Sequence, residues 1–226
     1  MKGAREVFGR VRVWANMIKA SHSVFVLPFA LIATFLAGRE LPAGVPYPSQ
    51  IALIVLCMVF ARCAAMTYNR LVDLEYDAAN PRTAGRALPT GRISWRMALF
   101  FLGMCVGAFL ACCMGFWWFH GNPWPAIFGA PVLAMLCGYS YAKRFTRWSH
   151  LILGAVEGLS PVAAWVAIDP SSLGLEAAIL GLAITVWIGG FDILYACQDV
   201  DFDRREGLHS LPALLGYNGT SIKQTA

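Results

Sequence analysis

Apolar residues run along this chain in long blocks, with short polar stretches between them. Six blocks, at about residues 20–38, 50–70, 96–118, 123–142, 150–168 and 174–197, are each long and mostly apolar. A helix that crosses the hydrocarbon core of a bilayer needs about 20 such residues. The pattern therefore predicts an all-α fold: a polytopic transmembrane bundle of six helices. The six helices and their loops use nearly the whole chain. They give one membrane domain over residues 1–216 and a polar tail over 217–226, with no room for a soluble domain. The first block follows basic residues without a cleavage site, so it reads as a retained helix rather than a secretory signal.

Composition strengthens this picture. Hydrophobic residues make up 58% of the 226 and charged residues 14%, against about a quarter charged in soluble domains. The formal charge of +5 does not point to nucleic acid, because its distribution marks topology. Basic residues lie in the N-terminal arm (Lys2, Arg5, Arg10, Arg12, Lys19), after the second block (Arg70, Arg82, Arg86, Arg92, Arg96), after the fourth (Lys143, Arg144, Arg147) and after the sixth (Arg204, Arg205, Lys223). These regions hold 16 of the 18 Lys and Arg residues, and the alternate loops hold only Arg39. The positive-inside rule then puts both termini and these loops in the cytoplasm. The seven cysteines all lie in apolar blocks and none forms a CxxC pair, so they read as packing residues.

The acids are placed less predictably. Eight of the 13 lie at or near cytoplasmic helix ends, in two groups. In NRLVDLEYD, residues Asn69, Asp73 and Asp77 follow one another at intervals of four. If the second helix continues through them, they stack on one face. In DILYACQDVDFD, residues Asp192, Tyr195, Asp199 and Asp203 fall at i, i+3, i+7 and i+11, again on one face. Asp192 lies inside an apolar block, where an ionisable group is costly and marks function by default. Stripes of like charge are unfavourable unless a cation sits among them. Oxygen ligands without a His or Cys cluster suit a hard cation rather than zinc. Mg²⁺ takes one or two carboxylates and completes its shell with water and substrate phosphate. Two small stripes therefore suit two Mg²⁺ ions bridged by a diphosphate.

With their flanks, the stripes read NRLVDLEYDAANPRTAGRALPTGRIS and DILYACQDVDFDRREGLHSLPALLG. They resemble the first and second aspartate-rich motifs of the UbiA prenyltransferase family, and YAKRFTRWSH after the fourth block resembles that family's basic loop. The likeness runs from about Ser21 to Gly216. One departure is Arg70, where many members have Asp. The resemblance implies a Mg²⁺-dependent membrane enzyme that transfers a polyprenyl group from polyprenyl diphosphate to an aromatic acceptor. The wording of the motifs looks most like the bacterial quinone branch. That makes the acceptor 4-hydroxybenzoate, or the related aromatic intermediate of the futalosine route to menaquinone, and it places the protein in the bacterial inner membrane with its cavity facing the cytoplasm.

On this reading Asn69, Asp73 and Asp77 hold one Mg²⁺, and Asp199 and Asp203 the other. Lys143 and Arg144 clamp the diphosphate, assisted by Arg82 and Arg86, while Arg147 serves topology. Three roles are open to Asp192: holding the acceptor, stabilising the allylic cation or taking the ring proton. Arg62 lies seven residues before Asn69 on the same face, placed either to bind the acceptor's carboxylate or to pair with Asp192. Glu157 is a second buried charge, either in the pocket or bonded to a neighbouring helix. Tyr195, and after it Tyr68 and Tyr139, can offer ring faces to a cation. His22 reads as structural, and Phe116–Phe119 as an interfacial aromatic belt.

Two rival readings are weighed. A divalent-cation transporter would place its polar residues near the bilayer midplane, whereas here they gather at one face. The other rival is a catalytically inactive chain. The family pattern has about nine helices, and this sequence turns polar after LHSLPALLG, which predicts a bundle lacking about a third of its wall.

Overall fold

A computed structural model describes residues 12–18 and 26–216. Lys2, Arg5, Arg10, Lys19, His22 and the polar tail from 217 onward lie outside the described residues. After a short helical stretch at 12–17 come α1 (Leu27–Gly38), α2 (Pro48–Val72), α3 (Leu74–Ala79), α4 (Trp95–His120) and α5 (Trp124–Gly138). They are followed by α6 (Ala142–Phe145), α7 (Ser149–Ile168), α8 (Leu175–Ala196), α9 (Val200–Arg205) and α10 (Leu211–Leu215). Among the described residues there is no strand. Among the described residues, five helical segments are long and apolar enough to cross a membrane: Pro48–Val72, Trp95–His120, Trp124–Phe145, Ser149–Ile168 and Leu175–Arg205. The first predicted block is described from Val26 on, and there it forms the 12-residue apolar α1.

The helix limits follow from local chemistry. Pro48 opens α2, and the Gln50 side chain accepts the Tyr47 backbone N–H at 2.9 Å. Ser94 caps α4 by accepting from the Met97 N–H, and α4 stops at Gly121, whose φ of 68° suits glycine. Pro131 and Pro161 sit inside α5 and α7, as membrane helices tolerate.

Burial is reversed from that of a water-soluble bundle. Phe100, Trp118, Phe119, Leu182 and Val186 point outward, while Arg70, Asp77, His150 and Asp203 are buried. Lipid accepts the first set, and protein must satisfy the second. Between the helices, small residues set the distances. Ala30, Ala33 and Ala37 of α1 pack on Ala164, Ala167 and Ile168 of α7. A Cβ at Gly181 of α8 would lie 2.8 Å from the Gly158 carbonyl oxygen of α7, so these backbones meet with no side chain between them.

The two ends of the bundle differ. At one end Asn122 Nδ2 donates to the carbonyls of Val166 (2.8 Å) and Ala167 (3.0 Å), and Ser49 Oγ lies 3.1 Å from His120 Nε2. The opposite end gathers the basic loops, the two acidic stripes and α9.

Candidate active site

The first stripe survives a small break in its helix. Residue Asp73 separates α2 from α3 with φ −94° and ψ 14°, yet its N–H still reaches the Asn69 carbonyl (2.9 Å) and the Asp77 N–H reaches the Asp73 carbonyl (2.7 Å). The helix is offset rather than stopped, and Asn69, Asp73 and Asp77 stay on one side. The second stripe passes through a tightened turn at Cys197–Asp199 between α8 and α9.

Both stripes and the basic loop line one cavity of about 270 Å³. The twelve residues to which the sequence assigns metal, diphosphate or catalytic roles are on its wall: Arg62, Asn69, Asp73, Asp77, Arg82, Arg86, Lys143, Arg144, Asp192, Tyr195, Asp199 and Asp203. Glu157 and Tyr139 are there too, whereas the Tyr68 hydroxyl bonds to that of Tyr141 at 3.2 Å, off the cavity wall. Arg147 also lies off this wall, with its guanidinium 5.5 Å from the Trp148 ring.

Most of the wall carboxylates face guanidinium groups. Arg144 donates to Asp73 at 3.2 Å, and Asn69 Nδ2 donates to the other oxygen of Asp73 at 2.9 Å. Asp77 takes Arg86 at 2.5 Å on one oxygen and Arg70 at 3.4 Å on the other. Arg70, the departure from the common motif, is thus a buried partner of the stripe. Asp199 takes both Nε (2.8 Å) and a terminal nitrogen of Arg82, and Asn80 Nδ2 at 2.9 Å. Burial pushes the Asp73 carboxyl above the usual range, against the pull of Arg144. The Asp199 carboxylate holds the Arg82 guanidinium above its ordinary value.

Deeper in the cavity, Arg62 pairs with Glu157 at 3.0 Å rather than with Asp192. The Asp192 carboxylate meets His150, whose Nδ1 lies 2.7 Å from Oδ2. His150 and Asn80 were not singled out from the sequence. Both stand inside the quoted motifs, but nothing in their spacing marks them as partners of acids 42 and 119 positions away.

The wall can be tested for a cation. Its acids and Asn69 offer hard oxygen donors, and Asp203 Oδ2 is buried without a hydrogen-bond partner among the described residues. Among the described residues no group of three or more His, Cys, Asp or Glu side chains closes a metal cage. An open oxygen site with an orphaned acceptor fits Mg²⁺, which completes its shell with water and phosphate.

Comparison with known proteins follows the same lines. The sequence profile of the UbiA prenyltransferase family matches residues 26–225. A polyprenyl transferase of Arthrobotrys oligospora is 32% identical over 70% of this chain and 43% of its own length. The 4-hydroxybenzoate octaprenyltransferase of Sodalis glossinidius is 30% identical over 92% of this chain and 69% of its own length. The chain therefore spans less than half of the fungal relative and about two thirds of the bacterial one. Among solved structures, the apo form of a UbiA homolog from Aeropyrum pernix K1 matches with a TM-score of 0.78 and 32% identity, covering 88% of this chain and 71% of that one. A UbiA homolog from Archaeoglobus fulgidus bound to GPP and Mg²⁺ shares the fold at a TM-score of 0.67 and 20% identity, over 90% of this chain and 69% of that one.

Proposed function

Because the chain belongs to the UbiA prenyltransferase family, we propose that it transfers a prenyl group from polyprenyl diphosphate to an aromatic quinone precursor such as 4-hydroxybenzoate. The observation that carries this reading is the convergence of two acidic stripes and a basic loop on one cavity at one end of the bundle. The cavity lies at the cytoplasmic face of a bacterial inner membrane.

The residues divide the work by depth. At the mouth, Arg82, Arg86, Lys143 and Arg144 take the diphosphate. A guanidinium fork fits phosphate as well as carboxylate, so these arginines exchange Asp73, Asp77 and Asp199 for phosphate oxygens as substrate enters. The released carboxylates join the ligand set: Asp73 and Asp77 with the Asn69 amide oxygen would hold one Mg²⁺, and Asp199 with Asp203 another. Bound there, Mg²⁺ supplies positive charge that offsets the charge growing on the leaving diphosphate. Deeper in the cavity, Arg62, held by Glu157, turns its remaining donors to the acceptor's carboxylate. Tyr195 and Asp192 flank the space between the two substrates.

Release of diphosphate from geranyl diphosphate by the purified chain tests this reading. Release requires Mg²⁺ and acceptor, and it stops with EDTA. Asp73→Ala and Asp199→Ala each lower it by about a hundredfold, the scale of losing one preorganised group at developing charge, while the protein stays folded in the membrane. Full release after chelation contradicts the ligand assignment. Divalent-cation uptake into proteoliposomes, with no diphosphate released, supports the transporter instead.

A further inference from the structure

The wall carboxylates do not all have the same kind of partner. Asp73, Asp77, Asp199 and Glu157 each face an arginine. Arginine keeps its proton at any working pH and so gives its carboxylate a partner of fixed charge. Asp203 is only 2% exposed. Asp192 differs from all of these in its partner, an imidazole, while its side chain stays 28% exposed on the cavity wall.

That imidazole is in an unusual place. His150 is fully buried, and it is not on the cavity wall. Its Nδ1 lies 2.7 Å from Asp192 Oδ2, while Nε2 is buried with no hydrogen-bond partner among the described residues. A ring chosen to fill space would be apolar, since an orphaned ring nitrogen costs stability. The backbones meet closely here: a Cβ on Gly189 of α8 would lie 3.4 Å from the His150 carbonyl oxygen. His150 thus sits directly against the helix that carries Asp192, and its hydrogen bond orients a carboxylate on the cavity wall.

We propose that His150 is a positioning residue that holds Asp192 as the base for the ring proton lost on prenylation, an inference that rests on the transferase reading above. As the allylic C–O bond breaks, its electron pair leaves with the diphosphate. The allylic carbon bonds to a ring carbon, and that ring carbon then loses its proton. The proton passes to the Asp192 carboxylate, and the C–H electrons restore the aromatic ring. An ionised carboxylate only accepts hydrogen bonds, so the Nδ1–H of His150 donates to Oδ2 and leaves the rest of the carboxylate for this proton.

Two measurements test this, and the first does not depend on turnover. Imidazole ¹⁵N spectra of the chain in detergent, with the His150 signals assigned by their loss in His150→Asn, show a protonated Nδ1 that shifts in Asp192→Asn. An Nδ1 that carries no proton, or a signal indifferent to Asp192→Asn, overturns the pairing even if the chain transfers no prenyl group. The second uses acceptor deuterated at the position that is prenylated. The unmutated chain shows no primary deuterium effect, because proton loss is fast. His150→Leu lowers kcat by about a hundredfold, the scale of a general base, leaves KM unchanged and exposes a primary deuterium effect. His150→Asn, which keeps an N–H near the same place, retains most of the rate. A His150→Leu chain with undiminished kcat overturns the proposal, as does one that loses rate with no isotope effect.

Discussion

A buried charge is tolerable only while its partner remains, and Asp77 shows the consequence most sharply. Its carboxylate joins Arg70 and Arg86, and Arg70 is 7% exposed. Removing Asp77 strands Arg70 in a nearly dry site, which costs about 3 kcal/mol or more. Asp77→Ala is expected to lower the melting temperature in detergent by several degrees, and adding Arg70→Leu restores part of the loss. A single variant that melts like the unmutated chain removes this account of Arg70. The same acids show how far residue chemistry can be read from the sequence. Spacing alone put Asp73 with Asp77 and Asp199 with Asp203, because helical periodicity leaves a trace in the chain. The pairing of Asp199 with Arg82 joins positions 117 apart, and no periodic signal records it. The sequence left Arg62 either Asp192 or an acceptor's carboxylate as partner, yet the fold gives it Glu157.

Helices report their contacts less openly than their existence. Five of the six predicted segments are long apolar helices among the described residues, because crossing a bilayer demands a length of apolar chain, and that demand is written locally. Where two helices touch depends on small residues, which look alike wherever they occur. Gly158 and Gly103 are both glycines inside long apolar helices. A Cβ at Gly158 would run into the Gly181 carbonyl and the Thr185 hydroxyl, whereas a Cβ at Gly103 meets nothing within 4 Å. Gly158→Val is expected to push α7 from α8 at a cost of about 1–3 kcal/mol. It also separates His150 and Glu157 from the α8 side of the cavity, so activity falls with stability. Gly103→Ala leaves both intact or slightly raises stability, since alanine is the better helix former. Equal tolerance at the two positions, read from melting curves, contradicts the close contact of α7 and α8. The break at Asp73 and the tightened turn before Val200 are also invisible in hydropathy, although both stripes survive them.

The molecule as a whole is polarised, with its charged cavity and basic loops at one end and its aromatic, weakly charged loops at the other. We place the charged end in the cytoplasm. In a chain with its seven native cysteines replaced, labels applied from the cytoplasmic side should reach cysteines introduced at Thr90 and Thr146 and miss those at Gly121 and Ser171; the reverse pattern inverts the orientation. This polarity also separates the transferase from the transporter, because a transporter would hold its polar residues near the bilayer midplane, whereas these gather around one cavity at one end of the bundle. The most direct measurement incubates the purified chain with Mg²⁺, geranyl diphosphate and 4-hydroxybenzoate and identifies the product by mass. The expected product is the acceptor with a geranyl group in place of a ring hydrogen, formed in step with diphosphate release and lost in Asp199→Ala. Diphosphate release without any prenylated acceptor, across a panel of aromatic quinone precursors, would contradict the assignment of this cavity to aromatic prenyl transfer.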